Sequence, residues 1–417
     1  MQTTLAPEFA NTPEGREAEA ILRKCVHCGF CNATCPTYQL LGDELDGPRG
    51  RIYLMKQVLE GRTPTRATQL HLDRCLTCRN CETTCPSGVQ YGHLVDIGRR
   101  LVDERVPRPA AERALRWTLK EGLPSPLFSP AMRVGQAVRG LLPETLRAKV
   151  PERSAAGSWP TRHHARRILL HANCVQPAMQ PGINAATARV LNAAGIQTLL
   201  APQEGCCGAV RFHMNDQSGG REQLRALIDA WWPLVEGSKG QPGVEAIVSN
   251  VSGCGLMLKE SAHVLRHDPA YAGKAERIAP LVRDLSELLP GIAEALLPRH
   301  AGLGQGRQLA YHPPCTLQHG QRVRDTVETW LPRLGFVLQR AASEAHLCCG
   351  SAGTYSVTQP ELATQLRDRK LGHLQGRGDV IVSANIGCIT HLQSGTPTPV
   401  RHWIEVLDQA LGAAANL

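Results

Sequence analysis

The sequence predicts a multidomain chain of the α + α/β class, with an all-helical N-terminal unit followed by two copies of one α/β unit. Three observations predict it. Two cysteine runs of identical spacing lie 50 positions apart near the N-terminus. A second set of cysteine landmarks recurs twice, in the same order, in the C-terminal half. Short apolar runs alternate with longer helical patterns around that second set, whereas the N-terminal part carries helical patterns alone.

The N-terminal runs are Cys25-Val26-His27-Cys28-Gly29-Phe30-Cys31 with Cys35-Pro36, and Cys75-Leu76-Thr77-Cys78-Arg79-Asn80-Cys81 with Cys85-Pro86. Both read C-x2-C-x2-C-x3-C-P, the two-cluster bacterial ferredoxin run. Three close thiolates hold one cluster, and the fourth cysteine, followed by proline, ligates the other. The expected ligand sets are Cys25, Cys28, Cys31 and Cys85 for one [4Fe–4S] cluster, and Cys75, Cys78, Cys81 and Cys35 for the second. Zinc sites also use C-x2-C pairs, but a third cysteine at the same spacing followed by C-P does not serve a four-coordinate zinc. Apolar residues at Leu54, Met55, Val58 and Leu59 predict a helix between the runs, and Tyr91 to Val106 predicts another after them. The helical two-cluster ferredoxin unit is expected over residues 1–106. It resembles the type found in the iron–sulfur subunits of succinate dehydrogenases.

Residues 107–165 are expected to form a basic, proline-rich linker with short helices. The chain has 46 Lys+Arg and 37 Asp+Glu, net +9, and the whole excess falls between Arg99 and Leu170. Met132, Val134, Val138, Leu141 and Leu142 make a rough apolar stripe beside Arg133 and Arg139. A basic amphipathic stretch suits anionic lipid headgroups or an acidic partner, and a solvated linker explains it equally well. No series of base-stacking aromatics accompanies the charge, so no nucleic acid is expected.

The duplicated units are expected over residues 166–295 and 305–417. Arg167–Leu170 leads to His171 and Cys174, and Gln308–Tyr311 leads to His312 and Cys315. Next come Cys206-Cys207-Gly208 and Cys348-Cys349-Gly350, then Ile247-Val248-Ser249 before Cys254 and Ile381-Val382-Ser383 before Cys388. Further strands are predicted at Ile196–Leu200 and Phe336–Leu338, with helices at Asn184–Ala194, around Arg221–Val235, before Gly335, and at Pro360–Leu374. Strands alternating with helices build parallel layers, and function gathers at the carboxyl ends of their strands. Each copy should therefore collect its four cysteines at one rim: Cys174, Cys206, Cys207 and Cys254, or Cys315, Cys348, Cys349 and Cys388. These suit a further iron–sulfur cluster, a zinc ion or redox-active thiols. His171 and His312 are placed to support a ligand or to pack at a strand end. His213, His319, His346 and His391 lie near the same loops.

Other chemistry finds little support. The string at Gly302, Gly304 and Gly306 has no strand before it, so it does not read as a nucleotide loop. Iron–sulfur clusters pass single electrons, and two-electron substrate oxidation needs a cofactor such as flavin. No flavin or nicotinamide fingerprint appears, so the chain is expected to relay electrons for another polypeptide. Residues Met1 to Asn11 lack the basic-then-apolar pattern of an export signal. No apolar run reaches the length of a membrane span. A cytoplasmic location is expected, with peripheral contact at the cytoplasmic face of the inner membrane as the extension.

The duplicated plan is similar to the cysteine-rich "CCG" domain of heterodisulfide reductase-type proteins, whose fuller pattern ends in C-x2-C; here Val251 and Asn385 stand where that pair has its first cysteine. The whole chain resembles the iron–sulfur subunits of bacterial glycolate oxidase. The resemblance rests on the Cys25–Cys31 run, Gly42–Arg51, Asp229-Ala230-Trp231-Trp232 and Leu347–Tyr355. It implies a complex with two FAD-type subunits, glycolate oxidised to glyoxylate, FAD held only by those partners, and electrons leaving toward a quinone or other membrane acceptor. The architecture also fits iron–sulfur subunits of lactate or glycerol-3-phosphate dehydrogenases; a thiol/disulfide enzyme of the heterodisulfide reductase kind is the other alternative, and the cysteines missing at Val251 and Asn385 argue against it.

Overall fold

The computed structural model describes residues 1–238 and 240–414. Its N-terminal part is helical, built on Pro13–Lys24, Pro48–Leu59, Arg66–Asp73 and Tyr91–Arg105. Proline opens the first two of these, where its missing N–H is no loss. Thr12 and Thr65 cap helix starts by accepting backbone N–H groups of Gly15 and Thr68. Leu22, Met55, Leu59, Leu72, Leu94 and Val95 form the core. Arg51 is buried within it and reaches Asp46 (3.3 Å), Thr37 Oγ1 (3.1 Å) and the His71 carbonyl (2.7 Å).

The two cysteine runs adopt one backbone. Positive φ occurs at His27 and Thr77, and again at Gly29 and Arg79, the equivalent positions of each run. Helical stubs at Phe30–Ala33 and Asn80–Thr84 follow.

Each duplicated unit is a four-stranded, all-parallel sheet with helices. The first contains β1 (Arg166–Leu170), β2 (Ile196–Leu199), β3 (Ala246–Ser249) and β4 (Val282–Asp284), in the order β2-β1-β3-β4. The second contains β5 (Gln308–Tyr311), β6 (Val337–Arg340), β7 (Val380–Ser383) and β8 (Val400–His402), in the order β6-β5-β7-β8. The matched orders make the duplication structural. Two expectations need adjustment. The strand expected at Phe336–Leu338 runs one to two residues later, because Phe336 packs into the core while β6 is a half-exposed edge. The edge strands β4 and β8 and the helices after them, Leu285–Leu296 and Trp403–Ala414, were not expected.

The two units share one core. Gly182–Ala193 of the first packs on Trp403–Ala414 of the second, and Leu285–Leu296 of the first packs on Thr326–Arg333 of the second. The helix leading into the second strand of each copy thus meets the last helix of the other, the reciprocal pairing of a two-fold relation. The carboxyl ends of β3 and β7 also meet: Ser252 N donates to the Ala384 carbonyl (3.1 Å), and Asn385 Nδ2 donates to Ser252 Oγ (3.1 Å). Val251 and Asn385 lie at this junction between copies.

The glycine of each Cys-Cys-Gly turn is sterically required. Gly208 (φ +85°) and Gly350 (φ +87°) adopt left-handed backbone, and a Cβ there would stand 2.3 Å from the Gly220 carbonyl oxygen or 2.5 Å from that of Ala363. Gly208→Ala and Gly350→Ala should each destabilise the protein by about 1–3 kcal/mol from backbone strain alone, with the overlap adding to it. Urea denaturation of the two variants checks this, and alanine at a neutral cost would show that the turn relaxes freely.

Candidate functional site

Two thiol-lined cavities lie in the helical part. Cys25, Cys28, Cys31 and Cys85 surround one, and Cys35, Cys75 and Cys78 surround the other; Cys81 borders both. The chain thus brings together the groups expected from the motif, with the fourth cysteine of each run beside the opposite set. Burial pushes the Cys31 thiol up to about 11 and drives Cys78 and Cys81 well above their ordinary value. Cys75 differs: burial pushes it up, but the guanidinium groups of Arg51 and Arg99 outweigh burial and leave it lowered. The donor sets are all sulfur, and the buried thiols lack enough cations to ionise unaided, so they fit iron held by thiolates.

Residues flanking these sites tie the helical part to the duplicated units. Leu76 packs with Cys315, Cys348 and Tyr355 in an apolar cluster that Cys78 also joins, and Tyr355 Oη donates to the Arg74 carbonyl (3.2 Å). The second cysteine run is therefore adjacent to the cysteines of the second copy. Toward the first copy, Arg79 forms a two-point ion pair with Glu260 (Nη2–Oε2 2.8 Å), and His93 stacks on His263 at 3.9 Å. His263 Nε2 lies 2.6 Å from Glu17.

The cysteines of each copy converge at the carboxyl rim of its sheet. In the first copy, Cys174 Sγ lies 3.4 Å from Cys206 Sγ, and potential ligand atoms of His171, Cys207 and Cys254 lie within 4.8 Å of one another. In the second, Cys315 Sγ lies 3.7 Å from Cys348 Sγ, with His312, Cys349 and Cys388 grouped as in the first. Their electrostatics differ. In the first set, Cys174 and Cys207 donate to neighbouring thiols and are raised, whereas Cys206 and Cys254 accept those bonds and are lowered. Glu204 contacts His171 Nδ1 in this site. In the second set all four thiols are raised, and buried Lys370 stands nearby, lowered to about 8 by its own burial.

A cavity of about 380 Å³ joins the two cysteine sets. Cys75 and Leu76 border it from the helical part, Leu119 and Leu123 from the 107–165 segment, and Met179 and Ile386 from the two copies. Its size is that of a small-molecule site. Of the other histidines weighed from sequence, His213 lines this cavity and faces Asp96 (3.0 Å). His319 bonds Thr83 (3.0 Å) and the His346 carbonyl (2.8 Å), and His391 bonds the Ala363 carbonyl (3.0 Å). His346 contributes that carbonyl and not its ring. The Glu17–His93–His263–Glu260 network had no sequence signal, because its members lie on helices far apart in the chain.

This combination defines an iron–sulfur protein with paired cysteine-rich domains, of the electron-transfer class. Family models agree: a 4Fe-4S dicluster domain matches residues 21–89, and a cysteine-rich domain matches residues 168–259 and 309–393. The chain is 53% identical over 414 residues, 99% of each protein, to the glycolate oxidase iron-sulfur subunit of Escherichia coli. It is 29% identical to the probable glycolate oxidase iron-sulfur subunit of Bacillus subtilis, over 93% of this chain and 92% of the relative. Lactate utilization protein A of Bacillus licheniformis matches 58% of this chain at 24% identity, over 99% of its own length. The chain belongs to the family of glycolate oxidase iron-sulfur subunits.

The Arg79–Glu260 pair gives a stability test. Arg79 is 5% exposed, and burial of Glu260 is outweighed by hydrogen bonds from His93 and Arg79, so its carboxyl stays far below the usual range. Because the folded value is depressed, the stabilisation is present in full above the unfolded carboxylate value near ~4.3 and is lost as pH falls toward the folded one. At pH 7, Glu260→Gln should cost about 3–5 kcal/mol by leaving Arg79 buried and unpaired. Replacing both residues by apolar ones should recover much of that loss. Thermal unfolding of the single and double variants reads both effects, and additive losses would count against a coupled pair.

Proposed function

We propose that this chain takes electrons from two FAD-carrying subunits that oxidise glycolate to glyoxylate, and delivers them to a quinone-type acceptor at the cytoplasmic face of the membrane. The supporting observation is the order of cysteine sites through the molecule. Cys28 of the first set is exposed; the Cys78 side of the second abuts Cys315 and Cys348; the 380 Å³ cavity joins Cys75 to both C-terminal sets. Cys25, Cys28, Cys31 and Cys85 would hold one [4Fe–4S] cluster, and Cys75, Cys78, Cys81 and Cys35 the other. When bound, such clusters supply one-electron transfer and no hydride chemistry.

The protein's own residues suit this role. Val26, Phe30 and Tyr53 are exposed beside Cys28 and offer the partner flavoprotein an apolar docking face. Arg51 and Arg99 keep positive charge beside Cys75, which favours an added electron on that side. Leu119 and Leu123 line the cavity from the same segment that exposes Trp117, Leu127, Val134 and Leu141 outward. An apolar cavity behind an exposed apolar face suits a lipid-soluble quinone and peripheral membrane contact. Among the described residues no helix is long and apolar enough to cross a membrane. The C-terminal cysteine sets, Cys174, Cys206, Cys207 and Cys254 with Cys315, Cys348, Cys349 and Cys388, would hold a further iron–sulfur cluster or zinc.

Purified anaerobically, the chain alone should contain iron and sulfide, lack flavin and fail to oxidise glycolate. With its partner subunits it should support glycolate-dependent quinone reduction that Cys78→Ala abolishes. Glycolate oxidation by the flavin-free chain alone, or unimpaired quinone reduction in the Cys78 variant, would reject the reading. Preference for lactate in the assembled complex would redirect its substrate.

A further inference from the structure

We infer that His171 and His312 are metal ligands, so that each cysteine-rich unit closes its metal centre with one imidazole nitrogen beside its cysteine thiolates. The inference rests on the reading of these units as metal sites and names the donor that completes them.

Four observations carry it. Both histidines are fully buried, at 0% and 1% exposure. Neither ring nitrogen of His312 has a hydrogen-bond partner among the described residues, and the His171 ring, held at Nδ1 by Glu204, has only the Cys254 sulfur before its other nitrogen. Buried polar atoms are almost always paired, so an orphaned imidazole nitrogen needs an explanation. In each unit a ring nitrogen lies within 4.8 Å of two cysteine sulfurs that are themselves in mutual reach. The arrangement occurs twice, at equivalent positions: His171 N donates to the Val248 carbonyl and His312 N to the Val382 carbonyl, both at 2.9 Å, so each ring hangs from the end of a central strand.

The first site adds a chemical signature. Glu204 contacts His171 Nδ1 and also accepts from Ala172 N at 2.9 Å, which fixes the carboxylate. Trp231 packs edge-on to the ring at 5.5 Å. A carboxylate on one imidazole nitrogen orients the other toward a metal, the pattern most metal-bound histidines show. The equivalent of Glu204 in the second copy is His346, and Lys370 stands near its thiols, so the two centres are inequivalent. A donor set of cysteine sulfur and histidine nitrogen suits zinc or iron and not the hard, oxygen-seeking cations. The histidines also supply a donor that Val251 and Asn385 cannot. Both positions lie at the contact between copies, where Asn385 caps its helix by accepting from Gly387 N (2.9 Å).

The test uses the full-length chain, purified anaerobically, in five forms: wild type, His171→Ala, His312→Ala, His312→Cys, and a form with all eight C-terminal cysteines changed to serine. Iron, zinc and sulfide are quantified per chain. Histidine nitrogen is sought by pulsed electron paramagnetic resonance for iron, or by X-ray absorption at the zinc edge for zinc. Each alanine variant should lose half or more of the metal held by its own unit, with ferredoxin-type iron unchanged, and lose the nitrogen signature of that unit. His312→Cys should restore metal without nitrogen, which separates ligation from a folding defect. Equal metal in wild type and the eight-serine form would remove the metal reading and this inference with it. Excess metal in wild type with no nitrogen signature, or full metal retention in both alanine variants, would overturn the ligand assignment alone.

Discussion

A thiolate taken out of water needs a cation close by, and most of this molecule follows from meeting that need many times over. Ten of the sixteen cysteines are buried and only Cys28 is exposed. Shielding from water with no cation nearby favours the protonated thiol, and it pushes Cys31, Cys78 and Cys81 up. The helical part therefore cannot be understood as a hydrophobic core with cysteines attached. Its core residues Met55, Leu72 and Leu94 pack around loops whose own geometry is set by positive-φ residues and sulfur. Arg51 and Arg99 are bound into that core by hydrogen bonds to backbone carbonyls of His71, Leu72 and Cys75. They supply fixed charge where the chain itself can provide it.

The duplicated units solve the same problem with a different scaffold. Parallel strands end in loops at one rim, so three loops per copy deliver four cysteines without long insertions. Sharing one core between copies then turns both rims toward the same cavity. The reciprocal packing of first and last helices fixes this arrangement, and the edge strands β4 and β8 extend each sheet toward those last helices. His402, at the end of β8, donates from Nε2 to the Asn250 carbonyl of the other copy (3.0 Å), four residues before Cys254. The spacing of the two rims is thus a property of the dimer-like core, not of either copy alone.

What could be read from the chain, and what could not, follows from sequence separation. The ferredoxin run is a local pattern that sets three close cysteines on one cavity and sends the fourth to the cavity of the other run, so the lining of both cavities was legible from spacing. The central strands were legible because Ile168–Leu170 and Ile381–Val382 are continuous buried runs. β4 and β8 were not: each has three residues, with the central arginine exposed, and three residues carry no periodicity. The repeated H-x2-C drew attention to His171 and His312, but orphaned ring nitrogens belong to the packed state and leave no trace in the spacing. Glu204 and Lys370 were missed for the same reason: Glu204 reaches across from the Cys206-Cys207 loop to His171 on another loop, and Lys370 comes from the helix Pro360–Leu374.

The positive charge shows how a compositional fact changes meaning once folded. The net +9 is local in sequence, yet the structure divides it. Arg99 and Arg108 are turned inward; Arg108 pairs with Asp73 (2.6 and 3.0 Å) and also contacts Asp103 and Glu112. Arg166 is matched by Glu245 and Arg139 by Glu152. Lys149 points to Ser356 at the cavity instead of outward. What the segment leaves exposed includes apolar area at Trp117, Leu127 and Leu141, with exposed Arg113, Arg133, Arg147, Arg153 and Arg162 scattered along the chain rather than consecutive. Any membrane attraction here would therefore come from apolar insertion more than from a dense basic patch, and its salt dependence would be correspondingly weak.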